Sequence, residues 1–266
     1  MANNILTQLT ISKWTPRKIS REATATVEQT YSAPKAGKFV KKLIDSATLR
    51  AIAAKDAEIR ATHYKYSLPW DDMGTRIVPP SLVEIYIEKT TTLKDEFNVL
   101  VGKFVQEYPS LVWEAEFNLG RLYDHNDYPA QGVIKDKFGV KVVLSSMPDH
   151  DNLFAGVFTD QFREIARQEE ESRIEKTFED IRERVKALVD RVLINLKGDK
   201  NFHESMMEDV KELSRLIPNL NIFGSSNISA IGDALSDCYA DTEELKNNDL
   251  VKNEVIARAE LLKDML

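Results

Sequence analysis

The chain has 266 residues, of which 42% are hydrophobic and 30% are charged, and its net charge is −7. This length allows one large or two modest domains with a buried core, and the composition excludes a disordered chain. The single cysteine, Cys238, excludes an internal disulfide and a multi-thiolate metal site.

The sequence also indicates a compartment. No apolar run approaches the roughly 18–20 residues that a membrane-spanning helix needs. The start, Met-Ala-Asn-Asn-Ile-Leu, lacks the basic and apolar stretches of a secretory signal. Together with the lone cysteine, these features lead us to expect a cytoplasmic protein without a membrane partner.

The N-terminal part predicts a strand, a loop and a helix. Residues 5–14 are rich in β-branched residues and end before a proline, as a strand does. Residues 20–38 are Thr/Ala/Ser-rich and contain proline and glycine, so they predict a loop. An Ala-rich stretch from Leu43 to about His63 carries apolar residues at helical spacing.

A long helical stretch follows a segment rich in proline and glycine. Pro80 stands where a helix can start, and helical sequence runs from there to Tyr108. Pro109 is expected to interrupt this helix, because an interior proline removes a backbone hydrogen bond. A second helix over residues 110–123 and a short helix from Pro129 are predicted next.

The clearest strand of the chain covers residues 138–144, which are β-branched and bounded by Gly139 and Pro148. This strand is a natural partner for residues 5–14, and the two predict one small antiparallel sheet. We therefore expect a mixed α/β domain over residues 1–148.

Residues 149–266 predict a helical domain. A heptad seam with spacing 4, 3, 4, 3, 4 runs through Ile174, Phe178, Ile181, Val185, Leu188 and Val192. Helices over about 201–216 and 241–265 can pack back on it. The fold class is thus mainly α (α+β), with a C-terminal helical hairpin or coiled coil. The seam spans less than three heptads, so contact within one chain and contact between chains both remain open.

Signatures of catalysis are missing from the sequence. The ten glycines form neither a phosphate-binding loop nor a dinucleotide fingerprint, and there is no nucleophile elbow. Cys238 is expected to fill a helix face. His125 and His150 stand among acids beside prolines, where turns and helix caps explain Asp and Asn better than a metal does. We predict no enzyme, no catalytic residue, no cofactor and no metal.

Charge is distributed unevenly along the chain. Residues 1–66 hold 12 Lys/Arg against five Asp/Glu, a net charge of +7, which leaves −14 for the remaining 200 residues. Such asymmetry is typical of a polyanion-binding part joined to an acidic part. Chance clustering of solvated charges is the alternative interpretation.

Basic and aromatic residues are interleaved near the start of the chain. Binding of single-stranded nucleic acid needs cations that neutralise phosphates and rings on which bases stack. The candidate residues are Lys13, Trp14, Arg17, Lys18, Arg21, Lys38, Lys41, Lys42, Tyr64, Lys65, Tyr66, Trp70 and Arg76. Alternatively, Trp14 and Trp70 cover the core and the cations line its solvent side.

Several short motifs carry a resemblance. Leu9-Thr-Ile-Ser-Lys-Trp-Thr-Pro-Arg-Lys18, then Lys42-Leu-Ile-Asp45, then Tyr66-Ser-Leu-Pro-Trp70 with Gly74 and Val78-Pro79, resemble an uncharacterised family of bacteriophage and mobile-element proteins. The resemblance extends through Asn219-Leu-Asn221. Members tend to be encoded among phage replication and recombination genes, or beside AAA+ ATPases of the MoxR type with von Willebrand A-type partners. The size is also similar to that of podophage single-stranded DNA-binding proteins, which assist replication, recombination and late transcription.

Two hypotheses of different class follow. In the first, a phage-encoded, non-enzymatic protein of the bacterial cytoplasm binds single-stranded DNA through its basic start, while the helical part self-associates or recruits phage or host proteins. In the second, the chain is a structural adaptor for an AAA+ ATPase or another protein, and the heptad seam is the recognition surface.

Overall fold

The computed structural model describes residues 4–147, 160–198 and 204–266. It is 69% helical with a small antiparallel sheet, which confirms the predicted fold class. Among the described residues the strands are β1 (Ile5–Ser12), β2 (Arg17–Ile19), β3 (Val40–Lys42), β4 (Leu68–Pro69), β5 (Arg76–Val78) and β6 (Gly139–Ser146). The helices are α1 (Arg21–Thr30), α2 (Ala47–Lys65), α3 (Val83–Leu119), α4 (Gln131–Ile134), α5 (Asp160–Lys197), α6 (Glu204–Leu220), α7 (Ser226–Asp237), α8 (Thr242–Asn247) and α9 (Asp249–Met265).

The main sheet has four strands in the order β4–β5–β1–β6. β5 pairs antiparallel with both β1 and β4. Leu6 lies opposite Ile77, and both are buried because paired residues point to the same face of a sheet. The hydrogen-bonded neighbours β1 and β6 confirm that the two strands expected from the sequence belong to one sheet. A separate ribbon of two strands is formed by β2 and β3.

Contacts divide the chain into two compact units. Residues 9–65 and 86–143 form the first, which we call the basic unit. Residues 1–8, 66–85 and 144–266 form the second, which we call the helical unit. The sequence predicted a division at residue 148. The structure differs in that residues 1–8 and 66–85 group with the C-terminal helices.

One face of α3 supplies much of the core of the basic unit. Phe97, Val101, Phe104 and Tyr108 are buried and spaced 4, 3 and 4, which is the spacing of one helix face. α3 continues through Pro109, so the predicted interruption is wrong. Core residues follow the same face on both sides of this exposed proline, and their packing outweighs the lost hydrogen bond.

The stretch predicted as a loop contains α1, so that prediction is wrong for residues 21–30. Ser20 caps this helix, because its hydroxyl accepts a hydrogen bond from the backbone N–H of Ala23 at 3.2 Å. α1 has no buried residue, and a helix without a core face leaves no apolar periodicity in the sequence.

The heptad seam lies within the packed helices of the helical unit. α5 packs against α6, α7 and α9. Four of the seam residues are buried, namely Ile181, Val185, Leu188 and Val192. The other two, Ile174 and Phe178, are half-buried. The ring of Phe178 lies 6.1 Å from that of Phe223. The sequence left open whether the seam makes contacts within one chain or between chains. In the structure the seam residues pack within one chain.

The remaining helices extend or divide the predicted ones. α6 continues through Pro218 to Leu220, and α8 and α9 are separated at Asn248, whose side chain caps α9. α7 was not predicted. A Cβ at Gly232 would lie 2.9 Å from a side-chain carbon of Ile217, so glycine allows α7 to approach α6 closely. No described helix combines the length and hydropathy that crossing a bilayer requires.

Candidate nucleic-acid interface

The candidate site is built around the β2–β3 ribbon of the basic unit. Antiparallel pairing places Lys18 directly opposite Lys41 and Arg17 opposite Lys42. Like charges in directly opposed positions destabilise a sheet unless a counter-charge joins them. The ribbon therefore needs an anion on the face that carries the two paired lysines.

Asp127 supplies this counter-charge. One of its carboxylate oxygens accepts a short hydrogen bond from Lys18 Nζ, and the other lies 2.5 Å from Lys41 Nζ. Lys41 Nζ also donates to the carbonyl oxygen of Leu122 at 2.6 Å. Burial alone would raise the pKa of the Asp127 carboxyl, but the hydrogen bonds and charges of the two lysines outweigh burial and lower that pKa.

The stretch between β2 and β3 is tied back onto the ribbon. The backbone N–H of Ser20 donates to the carbonyl oxygen of Phe39 at 3.0 Å, and the N–H of Phe39 donates to the hydroxyl of Thr24 at 3.0 Å. These bonds hold the start of α1 beside the residues that lead into β3. Arg21 and Lys38 therefore lie on the same side of the unit.

A groove of about 920 Å³ follows from this arrangement, and we call it the basic groove. Its six cations are Arg17, Lys18, Arg21, Lys38, Lys41 and Arg121, and its four acids are Glu22, Glu28, Asp124 and Asp127. The four cations other than the two ribbon lysines are exposed and form no ion pair within the described residues. The groove therefore presents guanidinium and ammonium groups that are available to an external anion.

A second cavity, of about 540 Å³, adjoins the groove at Arg17, and we call it the Trp14 pocket. Its apolar lining includes Trp14, Leu49 and Phe138, and its cations are Lys13, Arg17, Lys42 and Arg50. Trp14 is half-buried, with its ring 6.2 Å from Phe104 and 5.9 Å from Tyr108. An aromatic floor thus lies next to a cationic groove.

Some of the predicted cations are held by acids. Lys13 Nζ lies 2.5 Å from Asp56, which also accepts a hydrogen bond from Arg60. Lys42 Nζ lies 2.5 Å from the exposed Asp45. These two lysines reach the Trp14 pocket with part of their charge already balanced.

Two further candidates lie at the end of α2. Tyr64 is exposed, and its ring lies 5.6 Å from that of His63 in an edge contact. Lys65, which ends the helix, is half-buried. Neither residue lines the basic groove or the Trp14 pocket.

The last three candidates belong to the helical unit and are buried. Trp70 is 7% exposed, and the guanidinium of Arg173 lies 5.2 Å from its ring. Arg76 donates to the hydroxyl and the carbonyl oxygen of Ser67, at 2.8 Å in each case. Tyr66 is buried as well. In this structure these three side chains serve packing and internal hydrogen bonding, and they do not join the groove.

Sequence reasoning missed two residues of the groove. Arg121 and Asp127 lie more than 75 residues from the ribbon in sequence, and only the fold brings them to it. No sequence motif around either residue predicts this contact. The exposed ring of Tyr31, at the end of α1, was missed because the stretch was interpreted as a loop.

Other candidate chemistry can be located within the described part of the chain. No group of three or more potential metal-ligating side chains converges there. Asp124 beside His125 accepts a hydrogen bond from the N–H of Asn126, as a cap does, while His150 lies outside the described residues. Cys238 is buried, and burial raises the pKa of its thiol to about 11.

The two units differ in charge. The basic unit holds 19 Lys/Arg and 14 Asp/Glu, which gives a net charge of +5. Because the net charge of the whole chain is −7, the net charge of the helical unit is −12.

Comparison of the chain with protein-family models, with curated proteins and with solved structures finds no match.

Proposed function

We propose that this protein binds single-stranded DNA through the basic groove and the Trp14 pocket, without catalysing a reaction. One observation carries the proposal. Arg17, Arg21, Lys38 and Arg121 converge on one groove without acid partners among the described residues, and Arg17 joins this groove to a pocket with an aromatic floor.

The basic groove supports the phosphate half of the proposal. A nucleic-acid backbone presents closely spaced phosphates, and each phosphate neutralised by Lys or Arg releases condensed counterions. The four available cations of the groove offer this neutralisation. Lys18 and Lys41 already pair with Asp127, so these two lysines shape the groove more than they bind through it.

The Trp14 pocket supports the preference for a single strand. A base stacked on an aromatic ring contributes roughly 1–3 kcal/mol to binding. A duplex keeps its bases stacked inside and offers none to a recessed ring. A strand whose phosphates lie in the groove can turn one base into the adjoining pocket, which the half-buried rings of Trp14 and Phe138 line.

The biological setting of the proposal comes from the resemblance to bacteriophage and mobile-element proteins. In that setting, a non-enzymatic protein of the bacterial cytoplasm would coat or position single strands during replication, recombination or transcription of phage DNA.

A titration of fluorescently labelled oligo(dT) tests the proposal. We expect binding that weakens steeply with salt, with a slope of about −0.7 per phosphate contact for a single strand. The triple variant Arg17→Ala, Arg21→Ala, Lys38→Ala should bind weakly and should lower the salt slope by about 2. Absence of binding by the unmodified protein below about 10 μM at low salt would overturn the proposal.

The matched control removes the same charge elsewhere on the basic unit. Lys89, Lys94 and Lys135 are exposed and line neither cavity. Changing all three to alanine gives the same net charge as the groove variant. If both triple variants lose affinity equally, the overall charge rather than the groove governs binding.

The adaptor hypothesis loses the observation that favoured it. The seam residues from Ile181 to Val192 that were expected to recognise a partner are packed within the chain's own helices. No other feature of the described helical unit selects a particular protein partner.

A further inference from the structure

The exposed side of α3 carries three exposed apolar side chains that line neither the basic groove nor the Trp14 pocket. They lie near one line of the helix with polar residues such as Lys103 and Gln106 between them, and we call this line the stripe. Trp113 is 75% exposed and Phe117, one turn later, is 86% exposed. Val99 is 60% exposed on the same helix. Single exposed apolar residues are normal on a protein surface, but two large rings in adjacent turns mark an interaction site.

A cavity lies at the other end of the stripe. It has a volume of about 510 Å³ and is lined by Val99, Leu100, Thr92, Lys55, Asp95 and Glu96, of which Lys55 and Glu96 form an ion pair at 2.6 Å. Its size is sufficient for an aromatic ring. The basic unit thus carries two protruding rings and a receptive cavity on one continuous helix.

The spacing between Phe117 and the cavity indicates how two copies of α3 can pack together. Val99 and Phe117 are 18 residues apart, which is about five helical turns, so they lie on the same line of the helix about 27 Å apart. Two copies of α3 placed antiparallel, with Phe117 of each opposite Val99 of the other, make two identical ring-in-cavity contacts. Such mutual fit is the requirement of a two-fold symmetric interface.

The same register also places complementary charge. Trp113 falls opposite Lys103 of the second copy, which permits a contact between cation and ring. Glu114 falls beside the same lysine. Both Lys103 and Glu114 are exposed and form no ion pair among the described residues.

The apolar area on α3 supplies about half of what a stable dimer buries. With 150–250 Å² for an exposed ring, the three apolar side chains offer roughly 400 Å² per copy. A standard interface buries about 800 Å² per partner, so in the proposed dimer the polar residues between them supply the remainder. We propose that a second copy of this chain occupies the stripe, so that the protein is an antiparallel α3–α3 dimer.

Sedimentation equilibrium at about 50 μM tests the proposal, and a dimer is the expected result. Phe117→Asp should weaken the dimer at least about 30-fold, as the loss of a buried aromatic anchor does, because each dimer loses two such contacts. Leu261→Asp, which places the same charge on a leucine of the helical unit that is 68% exposed, should leave it unchanged. Circular dichroism establishes that both variants are folded. A monomeric unmodified protein, or a dimer indifferent to Phe117→Asp, would overturn the proposal.

Cysteine cross-linking tests the register. The double variant Val99→Cys, Phe117→Cys lacks the Phe117 ring, so it is oxidised at a concentration high enough to offset the weaker dimer. It should then form a disulfide between chains, because the two positions meet across the interface. Each single variant should fail to do so, since like positions are about 27 Å apart in this arrangement. The native Cys238 is buried and does not interfere. Equal cross-linking by a single variant would exclude the antiparallel register.

Discussion

At the scale of single residues, Asp127 decides the shape of the candidate site. It holds Lys18 and the buried Lys41 on one face of the ribbon. Without it, two ammonium groups would oppose each other across the strands. One carboxylate therefore permits the sequence to place two lysines in register beside a groove.

Replacement of Asp127 by asparagine should destabilise the folded protein by about 3 kcal/mol at pH 7, because it leaves Lys41 buried without its counter-charge. Urea unfolding followed by circular dichroism measures this loss. The matched variant Asp45→Asn removes an exposed carboxylate that pairs with Lys42 and Arg50, and it should cost much less.

The same residue predicts a pH dependence. Because the pKa of Asp127 is lowered in the folded protein, its ion pairs stabilise the fold above the ordinary pKa of 3.8. This contribution disappears as the pH falls through the lower folded value. The difference in stability between the unmodified protein and Asp127→Asn should therefore shrink in acid. A difference that stays constant from pH 7 to below pH 3.8 would contradict the role assigned to these ion pairs.

At the scale of elements, α3 shows how packing overrides a local signal. A proline within a helix lacks the N–H that would bond to the carbonyl four residues earlier, which for Pro109 is that of Val105. α3 nevertheless continues, because the core residues before and after Pro109 share one buried face. We expect Pro109→Ala to raise the free energy of unfolding by about 1–3 kcal/mol, since it restores that bond.

Thermal or urea unfolding measures the effect of Pro109→Ala. Pro109 is exposed, so alanine removes no core contact there. A loss of stability would mean that the geometry imposed by the proline is needed for packing of the helix.

α5 allows a sharper test of the seam. Ile181→Asp places a charge at a fully buried position and should unfold the helical unit, with a loss above about 4 kcal/mol. Ile194→Asp, on the same helix but 62% exposed, should be tolerated. Circular dichroism separates the two. Similar tolerance of both variants would show that the seam is not packed in solution, and the adaptor hypothesis would regain its basis.

The elements that could be predicted from sequence are those whose pattern is local. The strand at residues 138–144 was predicted from its β-branched residues, and the helix from Leu43 from apolar residues at helical spacing. Both are present, although the helix begins only at Ala47. α1 has no buried face, so only its serine cap signalled it. The groove cations near the start of the chain were visible as composition, but Asp127 and Arg121 reach the ribbon only through the fold. Arg173 likewise reaches the ring of Trp70, about 100 residues away in sequence, only through the fold.

At the scale of the whole molecule, net charge is a poor guide, because −7 is the sum of a unit at +5 and a unit at −12. The distribution permits a protein with an acidic isoelectric point to bind a polyanion locally. If the chain also dimerises through α3, each particle carries two basic grooves. A strand long enough to enter both then binds the second groove at a high effective concentration.

This combination predicts a dependence on oligonucleotide length. Phe117→Asp lies outside the basic groove and should bind a strand of about 10 nucleotides as tightly as the unmodified protein does. For a strand of about 60 nucleotides, the unmodified dimer should bind on the order of 100-fold more tightly than the variant, which is the lower end of the gain that linked sites produce. Fluorescence anisotropy at fixed salt measures both strands. If the variant binds both lengths as tightly as the unmodified protein, one dimer does not hold one strand with two grooves, even when each groove binds.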